Sequence, residues 1–349
     1  MKKIRLIFLL ITTIFIVGCS SKKLTEPIET AIDSSPIDAS SYMEMIKADK
    51  LREHLYIVAA DSMEGRNTGE LGQRKAGKYL IDYYKSIGIS HPKVAENFYQ
   101  SIPASYFRRA FSPSLGDSEN IWAFIEGGEK ADEILVITAH YDHVGMKNNE
   151  IYNGADDDGS GTVALLEIAA TFQKAKNDGY SPKRSILFLH VTGEEYGLHG
   201  SRYYSENPLF ALEKTIANIN IDMIGRRGYG KENNDNYVYV IGSDRLSSDL
   251  HRISEEANEK FVKMELDYKY NDPKDPNRFY YRSDHYNFAK NGIPAIFYFN
   301  GVHDDYHKPG DTPDKIDYPL LTKRTQLAFV VAWELANAPE RPKVDKNGK

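Results

Sequence analysis

The chain has 349 residues, of which 41% are hydrophobic and 27% charged, with a formal net charge of −6 and one cysteine. That length supplies a sizeable core, for one α/β domain or two smaller ones. The acidic balance, with no block of Lys and Arg beyond the first five residues, excludes a general nucleic-acid-binding face, and one cysteine excludes a disulfide framework or a thiolate-built zinc site.

At the N-terminus, Lys2, Lys3 and Arg5 precede an apolar stretch over 6–17. It is shorter than the roughly 20 residues of a membrane-spanning helix, and the pattern is that of an export signal. The stretch ends in Ile16-Val17-Gly18-Cys19, followed by Ser20 and Ser21, which resembles the lipobox of bacterial lipoproteins. The resemblance implies removal of residues 1–18, lipidation of Cys19 and an anchored protein of the bacterial cell envelope, at the outer membrane where the organism has one. Two or more acyl chains anchor stably, because each buried methylene contributes about 0.8 kcal/mol. An ordinary secretory signal whose apolar region happens to end in cysteine is the alternative. Loss of Lys2, Lys3 and Arg5 takes the formal charge from −6 to about −9. Residues 19–40 lack hydrophobic periodicity and are rich in Ser, Pro and Asp, as a tether would be. The charged, Pro-containing segment 339–349 reads as a polar tail, which leaves 41–338 for a single domain.

Within that span, 41–60 and 73–87 have helical spacing, the second bounded by Gly72 and Gly88. Short apolar runs at 134–139, 185–191, 216–221, 237–241 and 295–299 predict strands covered on both faces. Further helices are predicted over 162–175, 246–262, 284–291 and 319–337. The alternation predicts an α/β fold with a mostly parallel or mixed central sheet flanked by helices.

Chemistry-bearing residues cluster where these strands end, the side on which open α/β sheets form ligand crevices. In ILVITAHYDHVG, strand alternation puts His140 and Asp142 on one side, so that the carboxylate can receive one ring N–H while the other nitrogen faces a metal. IYNGADDDGSG places Asp156, Asp157 and Asp158 in a Gly-flanked turn before an apolar helix. Capping the helix accounts for one of these mutually repelling carboxylates, but not for all three. In ILFLHVTGEEYGLHGS a strand leads to Glu194 and Glu195, which suit a division between metal ligand and proton acceptor, although a solvated acidic turn has the same sequence. Asp222 ends an apolar strand in IANINIDMIGR, where an unpaired charge is costly, and GVHDDYHKPGDTPDKID offers His303 and His307 in a turn-rich loop.

Taken in order, HYDHVG, GADDDGSG, TGEEYGLHGS, NIDMIG and YHKPGDT resemble the M28 family of zinc aminopeptidases. The resemblance implies a zinc-exopeptidase-like (phosphorylase/hydrolase-like) fold and two zinc ions. His140 and Asp222 would hold one, Glu195 and His307 the other, and Asp157 would bridge them. It also implies that Glu194 is the general base and that Asp142 orients His140. The choice of Asp157 over its neighbours, and of His307 over His303, comes from the motif alignment alone. The implied reaction is hydrolysis of the N-terminal peptide bond of peptides with a free α-amine.

Substrate-contacting residues are less visible. Phe279, Tyr280 and Tyr281 and the run 297–299 lie near the last cluster in sequence and could line an apolar pocket, with Tyr281 and Tyr286 the better candidates, His285 a candidate for locating substrate, and Asp304 and Asp305 for receiving the amine. Phe297 and Phe299 fit a core strand better. Alternatives in other classes are a single-zinc glutaminyl cyclase-like enzyme, a hydrolase acting on C-terminal residues or non-peptide amides, and a peptide-binding ectodomain without catalysis.

Overall fold

The computed structural model describes residues 39–347, apart from 111 and 113. The signal over 1–18, most of the tether over 19–40 and the lipidation site Cys19 lie outside the described residues.

Ten strands form in chain order: β1 (Tyr99–Ile102), β2 (Ser118–Ile125), β3 (Lys130–His140), β4 (Met146–Lys147), β5 (Glu150–Ile151), β6 (Arg184–Val191), β7 (Thr215–Ile221), β8 (Tyr237–Ile241), β9 (Glu265–Asp267) and β10 (Ala295–Phe299). β4 and β5 make a separate small hairpin, and the other eight form one mixed sheet in the order β1-β2-β6-β3-β7-β10-β8-β9. Its centre, β6-β3-β7-β10, is parallel, so these four strands end at the same edge. Antiparallel pairing enters through β1 and β2 on one flank and β8 on the other. The apolar runs of β6 and β7 are buried along their whole length, as the sequence pattern requires of strands covered on both faces.

Nine α-helices accompany the sheet among the described residues: α1 (Ser40–Met43), α2 (Ala48–Val58), α3 (Leu71–Ser86), α4 (Ala104–Arg109), α5 (Gly161–Asn177), α6 (His199–Glu206), α7 (Ser248–Ala257), α8 (His285–Ala289) and α9 (Tyr318–Asn337). α5 and α9 are apolar on most sides because they pack on the sheet and on each other. Trp333 of α9 stacks on Phe172 of α5 at 5.7 Å and on Tyr42 of α1 at 5.6 Å. Each large apolar side chain buried in this way contributes roughly 1.5–3 kcal/mol.

Two predicted helices are interrupted. The spacing over 41–60 predicts one helix, but the chain breaks between α1 and α2, where Gln326 of α9 donates to the carbonyls of Met43 and Ile46 and Ile46 is fully buried. That tertiary anchor outweighs the helical propensity of the segment. The helix expected over 246–262 starts at Ser248, with the Ser247 hydroxyl accepting the Leu250 N–H at 3.1 Å, and loosens into a wide turn at Asn258–Val262. In the C-terminal segment, Arg341 donates to the carbonyls of Glu213 and Thr215, and the Asp345 N–H to the carbonyl of Leu246.

Close approach fixes how α5 meets the strand ends. A Cβ at Gly161 would lie 2.3 Å from the Ile221 carbonyl oxygen and 2.5 Å from the Asp158 carboxylate, so only glycine lets the first turn of α5 sit against the end of β7.

Candidate metal centre

Five chain segments converge at the C-terminal edge of the parallel strands. His140 is the last residue of β3, Asp222 follows β7, Glu194 and Glu195 lie just after β6, His307 is in the loop after β10, and Asp157 is in the turn leading into α5. Adjacent parallel strands bring their ends together in space, so residues about 167 positions apart in the chain, such as His140 and His307, become neighbours of one carboxylate.

That carboxylate is Asp157. His140 Nε2 lies 3.2 Å from Asp157 Oδ1, 3.5 Å from Asp222 Oδ1 and 3.9 Å from Glu194 Oε2. His307 Nε2 lies 3.0 Å from Asp157 Oδ2 and 3.0 Å from Glu195 Oε2. His307 adopts φ +54°, a left-handed conformation uncommon outside glycine, which its loop sustains.

These groups meet without satisfying one another. His140 Nε2, Asp157 Oδ2 and Glu195 Oε1 are buried with no hydrogen-bond partner. Buried polar atoms in that state are costly, and lone pairs converging on a common point are what a divalent cation resolves. The nitrogen and oxygen donors suit zinc. Two groupings among the described residues have the geometry to hold an ion: His140 with Asp158 and Asp222, and His143 with Asp157 and Glu195.

In the first grouping Asp158 is already engaged. Its carboxylate accepts N–H groups from His140 at 3.2 Å, Gly161 at 2.8 Å and Met223 at 3.1 Å, tying β3, α5 and the end of β7 together. Asp156 is engaged as well, accepting from the Gly225 N–H at 2.6 Å and the Ser160 hydroxyl at 3.1 Å, with His303 Nε2 at 3.1 Å. Asp311 accepts the backbone N–H groups of both Asp156 and Asp157. Of the three neighbouring carboxylates, only Asp157 faces the histidines with an oxygen to spare. His303 is likewise spent on Asp156, while His307 points at the cluster.

The orientation of His140 differs from the expectation of a carboxylate partner. Its Nδ1 lies 3.0 Å from the backbone carbonyl of Asp142 and 3.8 Å from Asp142 Oδ1. The Asp142 carboxylate instead accepts the Thr68 hydroxyl at 2.8 Å and the Glu194 N–H at 3.3 Å. The chain leaves its strand at His140, so period-two alternation no longer governs residue 142, which fastens the Glu194 turn.

Negative charge is in surplus. Burial pushes the Glu194 carboxyl well above the usual range, opposed by His140 and reinforced by Asp222, Asp284 and Glu195. Burial also pushes Asp142 up to about 6. For Asp157, burial acts upward but is outweighed by the His140 and His307 rings 3.2 and 3.0 Å away, and the group lies well below the usual range. His307 is raised to about 10, because Asp157 and Glu195 overcome the effect of burial.

Two participants were not singled out by sequence reasoning. His143 is fully buried, with Nδ1 2.6 Å from Glu195 Oε1 and 3.9 Å from Asp157 Oδ2, and neither ring nitrogen has a hydrogen-bond partner. Its presence in HYDHVG was visible, but only the fold turns it inward. Arg66, also fully buried, donates to the carbonyls of Val58, Tyr141, Asn153 and Gly154 and so bolts the turn before Asp157 to α2 and β3.

A cavity opens beside Asp157, Glu194 and Asp222, walled by Met223, Phe279, Phe297, Phe299, Val302 and Tyr306, with Arg282 also bordering it. The sequence favoured Tyr281 and Tyr286 for this role and assigned Phe297 and Phe299 to the core. Phe297 and Phe299 are buried in β10 as core residues and also border the cavity, whereas Tyr281 and Tyr286 do not line it. The tight turn Phe279–Tyr281 buries Phe279 toward the cavity and leaves Tyr281 40% exposed, edge-on to Tyr286 at 5.1 Å. His285 is fully buried and stacked on Phe297 at 4.9 Å, outside the cavity wall. Asp305 pairs with Arg226 at 2.9 Å and Lys315 at 2.8 Å, Asp304 is exposed and accepts the Tyr229 hydroxyl at 2.8 Å, and neither lines the cavity.

Comparison with known proteins agrees with this architecture. A probable leucine aminopeptidase of Arthroderma otae is 33% identical over 227 residues, covering 63% of this chain and 58% of the relative. The chain thus spans a little over half the length of such curated relatives. The solved LapA aminopeptidase of Legionella pneumophila superposes with a TM-score of 0.67 at 22% identity, covering 92% of this chain and 81% of that one. The glutaminyl cyclase of Bacteroides thetaiotaomicron has the same fold, with a TM-score of 0.64 at 20% identity and coverage of 83% and 98%. The profile of peptidase family M28 matches residues 120–332, the span that carries every candidate ligand, and the chain belongs to that family.

Proposed function

We propose that the protein is a zinc-dependent aminopeptidase that hydrolyses the N-terminal peptide bond of peptides with a free α-amine. The observation that carries the reading is the placement of Asp157 between two sets of donors, His140 with Asp222 and His307 with Glu195, with Glu194 beside them at the mouth of a cavity. Two zinc ions held by these five residues would supply Lewis-acid polarisation of the scissile carbonyl and lower the pKa of a water molecule.

The remaining work falls to the chain. Glu194, 3.9 Å from His140 Nε2 and bordering the cavity, takes the proton of the attacking water and returns it to the leaving amine. Asp142 holds Glu194 through its N–H and, through its own carbonyl, holds the His140 ring. The surplus of carboxylates attracts the α-ammonium of the substrate, which favours cleavage at the N-terminal bond over internal bonds. A glutaminyl cyclase-like reaction is the second reading, favoured by the shared fold. An Asp157 shared between two donor sets speaks for two ions rather than one.

Purified protein incubated with unblocked peptides is expected to release N-terminal residues, to stop on chelation and to recover on adding zinc. Glu194→Gln is expected to keep the metal while turnover falls by about 10²–10⁴-fold. Release of pyroglutamyl peptides from Gln-initiated substrates, without residue loss, would establish cyclisation instead. No helix of the described residues is long and apolar enough to cross a membrane. Anchoring to the bacterial envelope through a lipidated Cys19 is the localisation that the N-terminal sequence supports.

A further inference from the structure

Among the described residues, Arg282 is the only Lys or Arg bordering the cavity beside the candidate metal centre. Its side chain is exposed at the cavity's border, with the guanidinium carbon 4.9 Å from the centroid of the Phe279 ring. Among the described residues no carboxylate pairs with it, whereas Arg226 and Arg227 nearby in the fold pair with Asp305 and Asp317. The three acids of the cavity, Asp157, Glu194 and Asp222, face the histidine cluster.

The cavity therefore has two zones: an aromatic wall of Phe279, Phe297 and Phe299, and one unpaired guanidinium. An aliphatic N-terminal side chain would use the wall and leave Arg282 without a partner. A side chain with methylenes and a terminal carboxylate would use both, because guanidinium and carboxylate match in geometry and can form two parallel hydrogen bonds. We propose that Arg282 makes the enzyme selective for an acidic N-terminal residue, glutamate above all, by binding its side-chain carboxylate while the methylenes lie on the aromatic wall. This assignment rests on the aminopeptidase reading of the same site.

Peptides identical except for N-terminal Glu, Gln, Leu or Lys test it. The metal-loaded protein is expected to show kcat/KM about tenfold higher for Glu than for Gln, its neutral isostere. Arg282→Gln is expected to bring that ratio to near one, and Arg282→Glu to turn the preference toward Lys, a gain that misfolding cannot imitate. A wild-type Glu/Gln ratio at or below one, or a ratio unmoved by both substitutions, overturns the proposal. Calorimetric binding of L-glutamate and L-glutamine to zinc-loaded Glu194→Gln protein, with and without Arg282→Gln, makes the same comparison without turnover. An Arg282-dependent preference for glutamate in binding, with no release from any peptide, would uphold the pocket and sink the aminopeptidase reading; equal binding of the two amino acids would sink the pocket.

Discussion

His143 Nδ1 lies 2.6 Å from Glu195 Oε1 in a fully buried ring whose other nitrogen also lacks a partner. A histidine in that setting would either add a nitrogen to the ion proposed at Glu195 and His307 or fix the Glu195 carboxylate beside it, and both roles would strengthen the same proposed metal site. His143→Ala is therefore expected to weaken one of two zinc ions by about 10–100-fold in a chelator competition, leaving the other in place. Equal chelator resistance in variant and wild type would remove His143 from the metal centre. The residue types were legible in the sequence, since nitrogen and oxygen donors at strand ends limit the chemistry to metal or proton transfer. Their partners were not. Choosing Asp157 among three neighbours requires knowing which backbone N–H groups reach Asp156 and Asp158, and those come from Gly225, Met223 and Gly161, residues far along the chain or on another element.

At the scale of elements, β3, β6, β7, β8 and β10 were readable because burial on both faces leaves short stretches dominated by apolar residues, interrupted only by buried polar groups such as Asn218 and Asn220 of β7. β1 and β9 are short flanking strands that mix polar with apolar residues, and β2, although it holds the apolar run 121–125, pairs antiparallel on the flank and was not predicted. The segment around Arg66 was opaque for another reason: Glu64, Gly65 and Arg66 all take positive φ, and no periodicity announces such a turn. Yet this turn ties the end of α2, the end of β3 and the approach to Asp157 through the four carbonyls that Arg66 satisfies. Arg66→Met keeps the apolar bulk and removes every donor. Leaving buried carbonyls unpaired is expected to cost on the order of 3 kcal/mol, read as a lower urea midpoint at unchanged slope, with weaker zinc retention because the Asp157 turn loosens. An unchanged midpoint would mean that water replaces the guanidinium and that the turn is held by its other contacts.

For the whole molecule, acid stability pits two sets of buried groups against each other. Burial holds His190 and His285 down to about 3. Above the ordinary histidine pKa of about 6.5 both folded and unfolded chains carry them neutral; below it the unfolded chain binds a proton that the folded chain refuses, so each costs about 1.4 kcal/mol per pH unit down to pH 3. Asp284, raised by burial to about 7, and Asp142 and Asp311, raised to about 6, act in the opposite sense. Their folded forms take up protons first, so stability is regained as pH falls through those values. The net slope in metal-free protein should be shallow, and the contribution of one histidine must be isolated by difference. His285 stacks on Phe297 and uses neither nitrogen, so His285→Phe preserves the contact and removes the titration. The stability of His285→Phe relative to wild type is expected to rise by about 1.4 kcal/mol per unit as pH falls below 6, measured by urea unfolding with chelator present. A difference that stays flat from pH 7 to pH 5 would mean that the folded protein accommodates a charged His285, which in turn would require a proton acceptor behind the aromatic wall of the cavity.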